Sequence, residues 1–320
     1  MTETTLPMPK QPNILARLFK PVLLIRESLV GMIGLALVVF WVLIAIFAPA
    51  LAPFPPNANL MSTQPPGAEF IASATQMIGM QPASELCNAI EGDPTKVDCG
   101  TFWLGTDLTG RDIFSRIIWG ARQVLIFAPL ATFVAYIVGI PMGLWAGYSR
   151  GRIDTVFSFI SNVILSFPVL VLYVLVINLI GASAFNIVAA VVFASAPGIF
   201  RIVRGLAMDL RAREYVFAAE TRGEPLAYIL FLEILPNARG PLIVDAMLRL
   251  GYVIITIGTL GFLGLGLPPP DPDWGKMIAE GRTFLQVFPW IPLFPCLAIS
   301  SAVLGFNLLA DGLREVSLRD

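Results

Sequence analysis

Six stretches of the chain are apolar almost throughout: 29–51, 124–147, 156–180, 187–203, 242–263 and 288–309. Crossing ~30 Å of hydrocarbon takes a helix of ~20 mostly apolar residues, and each stretch meets or approaches that length. The period-two alternation of a barrel strand is absent. Backbone groups in lipid must be satisfied internally, so the stretches read as helices. The predicted fold class is an all-α polytopic membrane protein with six transmembrane helices. Ala50-Leu51-Ala52 looks like a signal-peptidase site, but the apolar run before it is too long for a signal peptide and Pro53 follows. The first span is read as uncleaved.

The polar segments between the spans set the orientation. With the N-terminus inside, the cytoplasmic side carries fourteen Lys and Arg and the outer side six, with Arg249 inside the fifth span. This positive-inside bias predicts that both termini are cytoplasmic. The chain then divides into a tail at 1–28, a first helix at 29–51, an extended outer loop at 52–122, a five-helix core at 123–312 and a tail at 313–320. Within the core, 204–240 is the one sizeable cytoplasmic loop. The outer segment from Leu267 to Trp274 holds three successive prolines and reads as rigid and extended. Prolines inside the spans (Pro129, Pro141, Pro168, Pro197, Pro292, Pro295) remove helix hydrogen bonds and favour kinks. Six together point towards a transport pathway.

Composition agrees with the pattern. The chain is 56% hydrophobic and 13% charged, with mean hydropathy +0.78; a soluble domain carries roughly 25% charged residues. A net charge of -1 excludes the basic field of a nucleic-acid binder. The absence of His removes the commonest metal ligand and general base, and no metal site is expected. Cys87 and Cys99 share a polar stretch, where an oxidising compartment would permit a disulfide between them; two free thiols are the alternative.

Catalytic motifs are missing. There is no P-loop, since Gly275-Lys276 lacks the upstream glycine and the hydroxyl, and no nucleophile elbow. Ion-coupled carriers bury charges at membrane depth; here the candidates are Asp245 and Arg249, four apart and able to pair on one helix face. A structural pair near the helix entrance is expected. The chain is read as a transport subunit that binds no cofactor and draws its energy from elsewhere.

The signal lies in 214–237, which reads Glu214-Tyr-Val-Phe-Ala-Ala-Glu-Thr-Arg-Gly223 and later Leu235-Pro-Asn237. Glu214 suits a helix N-terminus, Ala218, Ala219 and Gly223 offer small residues to a close-approaching surface, and Pro225 can open a second helix that Pro236 closes. Helix, glycine break, helix makes a knob suited to docking; an amphipathic helix lying on the bilayer is the alternative.

This segment closely resembles the EAA loop of ABC-importer permeases, through Glu214, Tyr215, Val216, Ala218, Ala219, Gly223, Leu235, Pro236 and Asn237. Two positions depart from the family pattern: Glu220 stands where Arg is common, and Glu233 where His is common. The stretch 104–112, Leu-Gly-Thr-Asp-Leu-Thr-Gly-Arg-Asp, and the stretch 261–267 followed by Asp273-Trp-Gly275 are similar to the dipeptide, oligopeptide and nickel branch. The resemblance implies half of a translocation pathway for peptides or related small solutes. Its implied partners are a homologous second permease, two ABC ATPase subunits that consume the ATP, and an extracytoplasmic binding protein. It also implies ATPase contact through Ala218, Ala219 and Gly223, with Glu214 and Arg222 flanking. Gly258, Gly261 and Gly264 are read as helix packing or pore wall. The segment 268–274 and the loop from 52 are candidates for touching the binding protein. An ion-coupled carrier or channel is the rival class, and a scaffold without transport a further one.

Overall fold

The computed structural model describes residues 26, 28–73, 88–90, 93–266 and 271–317. Helices α1 (Leu29–Ile46) and α2 (Ala48–Leu51) lead to three strands, β1 (Ala68–Ser73), β2 (Asn88–Ile90) and β3 (Asp93–Phe102). Then follow α3 (Ile113–Ser149), α4 (Arg152–Leu165), α5 (Val169–Ile180), α6 (Ala184–Arg211) and α7 (Glu214–Thr221). The short α8 (Leu226–Tyr228), a π-helical turn (Ile229–Ile234) and α9 (Leu235–Phe262) run on as one rod. A small helix α10 (Trp274–Gly281), a 3-10 turn (Arg282–Phe284) and α11 (Trp290–Ser317) complete the order. Among the described residues, five helices are long and apolar enough to cross a membrane, or six if the bent pair α4–α5 counts as one span.

Several boundaries differ from the expectation. The stretch 156–180 is not one straight helix: α4 and α5 meet at 91°. Pro168 explains the break. It disfavours helical φ and ψ at Phe167 and is itself extended, with φ -57 and ψ 123. Of the other intraspan prolines, Pro129 and Pro141 in α3, Pro197 in α6 and Pro295 in α11 lie inside continuous helices, and Pro292 lies in the first turn of α11. The outer loop is shorter than 52–122, because α3 starts at Ile113. It contains an antiparallel sheet of order β1-β3-β2. Of the candidate pair Cys87–Cys99, Cys87 lies outside the described residues, as does 267–270.

Lipid supplies no hydrophobic drive between helices, so close backbone approach must hold the bundle. Helix α3 carries Ala131, Ala135, Gly139, Gly143 and Gly147 at intervals of four, and all are buried. A Cβ on Gly143 would stand 2.6 Å from the Val203 Cβ, and one on Gly147 2.5 Å from the Arg204 carbonyl oxygen. This ladder lets α3 and α6 lie against each other along much of their length. Helix α1 packs on α11, with the Trp41 indole N–H donating to Ser301 Oγ at 3.1 Å.

On the side of the sheet, the 104–112 stretch is an ordered loop built on Asp107. Its Oδ1 accepts from the Thr109 N–H at 2.9 Å, the Thr109 hydroxyl at 2.8 Å and the Arg111 N–H at 2.9 Å. Arg111 bonds Asp107 Oδ2 at 2.6 Å and reaches Glu280 of α10 at 2.7 Å, so the loop is tied to the small helix. Asp112 caps α3 by accepting from the Ser115 N–H at 2.8 Å, while its Oδ1 is buried without a hydrogen-bond partner among the described residues. Burial pushes the Asp112 carboxyl above the usual carboxylate range, against the opposing pull of the Ser115 hydrogen bonds. A raised folded-state pKa means that ionised Asp112 opposes folding, and the penalty grows as pH climbs past the unfolded value of ~3.9. Asp112→Asn, which keeps a cap acceptor, is expected to hold or raise the thermal midpoint at neutral pH, with the gain fading in acid. Asp112→Ala loses the cap and about 1 kcal/mol. Thermal scans of both variants at two pH values check this, and an Asn variant less stable than the Ala variant at neutral pH would contradict it.

Candidate functional site

The knob is assembled from residues with opposite duties on neighbouring positions. In α7, Val216 and Ala219 are fully buried, three apart and therefore on one face. They join a cluster with Leu144 of α3, Ile199, Val203 and Ala207 of α6, and Ile229, Leu230, Ile234 and Ala238 at the base of the α9 rod. The knob is thus packed onto three long helices, and a push on it is delivered to all three. Tyr215 leans on the same cluster; its hydroxyl is buried without a hydrogen-bond partner among the described residues, and burial pushes the phenol pKa up.

The opposite face of α7 carries Glu214, Phe217, Ala218 and Thr221, all exposed and at helical spacing. Phe217 is 69% exposed, the largest apolar side chain on that face. Sequence reasoning passed over it, although the inward pair at 216 and 219 would have marked 217 as outward. Conversely, Ala219, expected on the docking face, points into the core.

Helix α7 ends on a left-handed glycine. Gly223 has φ +75, its N–H bonds the Glu220 carbonyl at 3.0 Å, and the Glu224 N–H reaches the Ala219 carbonyl at 3.2 Å. This is the paired 5→2 and 6→1 bonding of a Schellman stop. A Cβ on Gly223 would meet nothing within 4 Å, so the position is open outward.

The two departures from the family pattern make the bonds that seat the knob. Glu220 accepts from the Tyr148 hydroxyl at 2.7 Å and lies 4.0 Å from Arg211, whose guanidinium sits 4.7 Å above the Tyr148 ring. Glu233, within the π-helical turn, pairs with Arg222 at 3.4 Å, and Arg222 also meets Glu224 at 3.4 Å. Arg222, expected to flank a partner contact, is engaged within the chain while remaining half-exposed. Pro236 and Asn237 differ from expectation as well. Pro236 lies inside the rod, where the π-helical turn passes into α9, rather than closing the unit. Asn237 donates to the Glu233 carbonyl at 2.6 Å.

The family of binding-protein-dependent transport system inner membrane components matches residues 139–319, and the N-terminal transmembrane domain of oligopeptide transport permease C matches residues 26–66. The dipeptide transport system permease protein of Alkalihalophilus pseudofirmus is 36% identical over 291 residues, which is 91% of this chain and 86% of that protein. The chain belongs to this permease family. It is a multi-pass inner-membrane permease subunit of an ABC importer. A glutathione transport system permease protein of Pectobacterium atrosepticum is 41% identical over 213 residues, 67% of this chain and 71% of the relative. In fold, the permease is similar to the methionine ABC transporter MetNI in an inward-facing form, with TM-score 0.53 and 18% identity over 63% of this chain and 96% of that one.

The remaining sequence candidates fall elsewhere in the permease. A Cβ on Gly261 would lie 2.2 Å from Asp273 Oδ1, and one on Gly275 would lie 1.9 Å from the Gly258 carbonyl oxygen. Gly258 and Gly261 therefore admit α10 against α9. Gly264, with φ +79, ends α9 with the Leu265 N–H bonded to the Leu260 carbonyl at 2.8 Å. Trp274, named with the outer segment as a surface candidate, is 1% exposed and belongs to the core. Asp245 and Arg249 do pair, at 2.7 Å, and Asp245 also accepts from the Tyr136 hydroxyl of α3. Because the rod starts at Leu226, the pair sits well along it rather than at an entrance.

Proposed function

We propose that this permease forms half of the path of an ATP-driven importer for peptides or peptide-like solutes. In this reading it pairs with a homologous second permease, receives solute from an extracytoplasmic binding protein, and rests on two ATPase subunits. The knob side is cytoplasmic, as the Lys and Arg distribution argues. The observation that carries the reading is the exposed face Glu214–Phe217–Ala218–Thr221, ending on open Gly223 and backed by a core shared with α3, α6 and α9. Phe217 fills a pocket of the ATPase, Ala218 permits close approach, and the rigid backing turns ATPase closure into helix movement between two states. The substrate class follows from the dipeptide and glutathione permeases to which the chain is similar. The chain supplies no ATP site of its own in this scheme; ATP is consumed by the partners.

Phe217→Ala tests the docking assignment. The side chain contributes little to the permease interior, so membrane insertion and thermal stability should match the parent. ATPase co-purification and ATP-dependent uptake should fall on the order of tenfold or more, as expected for an aromatic anchor. Parental uptake in this variant would refute the assignment. Uptake that persists without any ATPase subunit would favour a secondary carrier or channel.

A further inference from the structure

Five side chains of α9, Asp245, Arg249, Tyr252, Thr256 and Thr259, recur at intervals of four, three, four and three. That spacing places them along one face of the helix. At 1.5 Å per residue the face covers ~21 Å, most of the ~30 Å hydrocarbon thickness. Its openness is graded: Tyr252 is 67% exposed, the two threonines are half-buried, and the Asp245 and Arg249 side chains, only 17% and 19% exposed, reach the surface at one edge.

Helix α3 gives the comparison. Its open face, Ile126, Leu130, Phe133 and Ile137, has the same spacing and is 46% to 63% exposed, yet every member is apolar. Lipid suits that face. The α9 face carries a carboxylate, a guanidinium and a phenol, which are expensive in hydrocarbon and occur there facing water or protein. The threonines decide less, because their hydroxyls bond carbonyls of their own helix, Tyr252 at 2.9 Å and Ile255 at 2.8 Å.

The charges are arranged as a preformed neutral pair. Arg249 Nε donates to Asp245 Oδ2 at 2.7 Å, and the same oxygen accepts from the Tyr136 hydroxyl. The guanidinium head lies against α6, where a Cβ on Gly198 would be 3.2 Å from both terminal nitrogens. A pair carries less desolvation cost than a lone charge, and each member can exchange its partner for an opposite charge on a passing solute.

We propose that this face of α9 lines the aqueous solute path, and that Asp245 and Arg249 form a station on it for zwitterionic solutes, the carboxylate meeting Arg249 and the ammonium meeting Asp245. The inference rests on the importer reading above.

The test uses the complete transporter, with permease pair, ATPases and binding protein, in membrane vesicles. Tyr252→Cys, Thr256→Cys and Thr259→Cys are treated with a membrane-impermeant, water-soluble thiol reagent, Phe133→Cys serves as the lipid-face control, and labelling of the parent chain is subtracted. Labelling of the α9 cysteines but not of the control, slowed by a transported dipeptide, supports the path. Absence of labelling on α9, as when a second permease covers the face, overturns it, and so does equal labelling of the control. For the station, Arg249→Gln and Asp245→Asn are each expected to lower uptake of a zwitterionic dipeptide on the order of tenfold, the loss of one charge-assisted bond, while ATP hydrolysis stimulated by the loaded binding protein is retained. Parallel loss of both activities, or of neither, overturns the station. A parent complex without ATP-dependent uptake would instead remove the importer reading, so the two failures are distinguishable.

Discussion

Replacing Gly223 with tryptophan is expected to abolish ATPase association and uptake while the permease still folds and inserts. The argument separates backbone strain from bulk. Gly223 adopts φ +75, which costs an L-residue roughly 1–2 kcal/mol. That strain falls on the last turn of α7, outside the long helices. No atom stands within 4 Å of where its Cβ would be, so any side chain projects away from the permease and into whatever docks there. A graded series gives the readout. Gly223→Ala carries the strain without the bulk, Gly223→Asn carries little strain because Asn tolerates the left-handed region, and Gly223→Trp carries both. Uptake and ATPase co-purification should fall in the order of side-chain volume, with at least tenfold loss for Trp, an effect of about 1.4 kcal/mol or more. Parental assembly and transport by the Trp variant would end the docking assignment. Equal loss in the Ala variant would mean that the turn itself, and not the open space beside it, is what the partner reads.

The sequence was most legible where a simple period governs. Long apolar runs marked the helices, and glycine at 223 marked the stop of α7, since few other residues tolerate that φ. The break at Pro168 was harder to see, because five further prolines read the same way in the sequence. The structure separates them by context: Pro129, Pro141, Pro197 and Pro295 lie within long helices that pack on their neighbours, Pro292 lies in the first turn of α11, and Pro168 lies between largely exposed α4 and α5. Boundaries were missed where a helix leaves the hydrocarbon without ending. Helix α6 runs on through polar residues to Arg211 and the α9 rod begins already at Leu226, so most of the expected loop 204–240 is helix. Ala218 and Ala219 look alike in sequence, and only the register set by Val216 turns one outward and the other inward. The two acidic departures, Glu220 and Glu233, could not be interpreted without their partners. Tyr148 and Arg222 lie 72 and 11 residues away, respectively, too far for local spacing to join the first pair.

The largest stability effect is expected at Trp274, and it concerns how the end opposite the knob is closed. The indole is fully buried, donates to the Ile117 carbonyl of α3 at 3.0 Å and meets the Trp41 ring of α1 edge-on at 5.1 Å. A Cβ on Gly120 would stand 2.5 Å from its ring nitrogen, so α3 has given up a side chain to admit it. Helix α10 is capped by Asp273, which accepts from the Gly275 and Lys276 N–H groups at 2.8 and 3.2 Å, and it packs on α9 and α11. One side chain therefore joins α1 and α3 to the α9–α11 pair. Trp274→Ala should cost about 3–5 kcal/mol through the cavity alone, with a further loss from the hydrogen bond that the indole gives the Ile117 carbonyl. Trp274→Phe keeps much of the volume and loses the donor, so its cost should be closer to 1–3 kcal/mol. Thermal unfolding followed by far-ultraviolet circular dichroism should rank the parent above Phe and Phe above Ala, with Ala lower by on the order of 10 °C. An Ala variant that melts with the parent would show that α1 and α11 hold the bundle without the small helix. A Phe variant as unstable as Ala would place the cost in the hydrogen bond rather than in the packing. Either outcome identifies what keeps α10 seated beside Gly258 and Gly261, where the α9 rod nears the end opposite the knob.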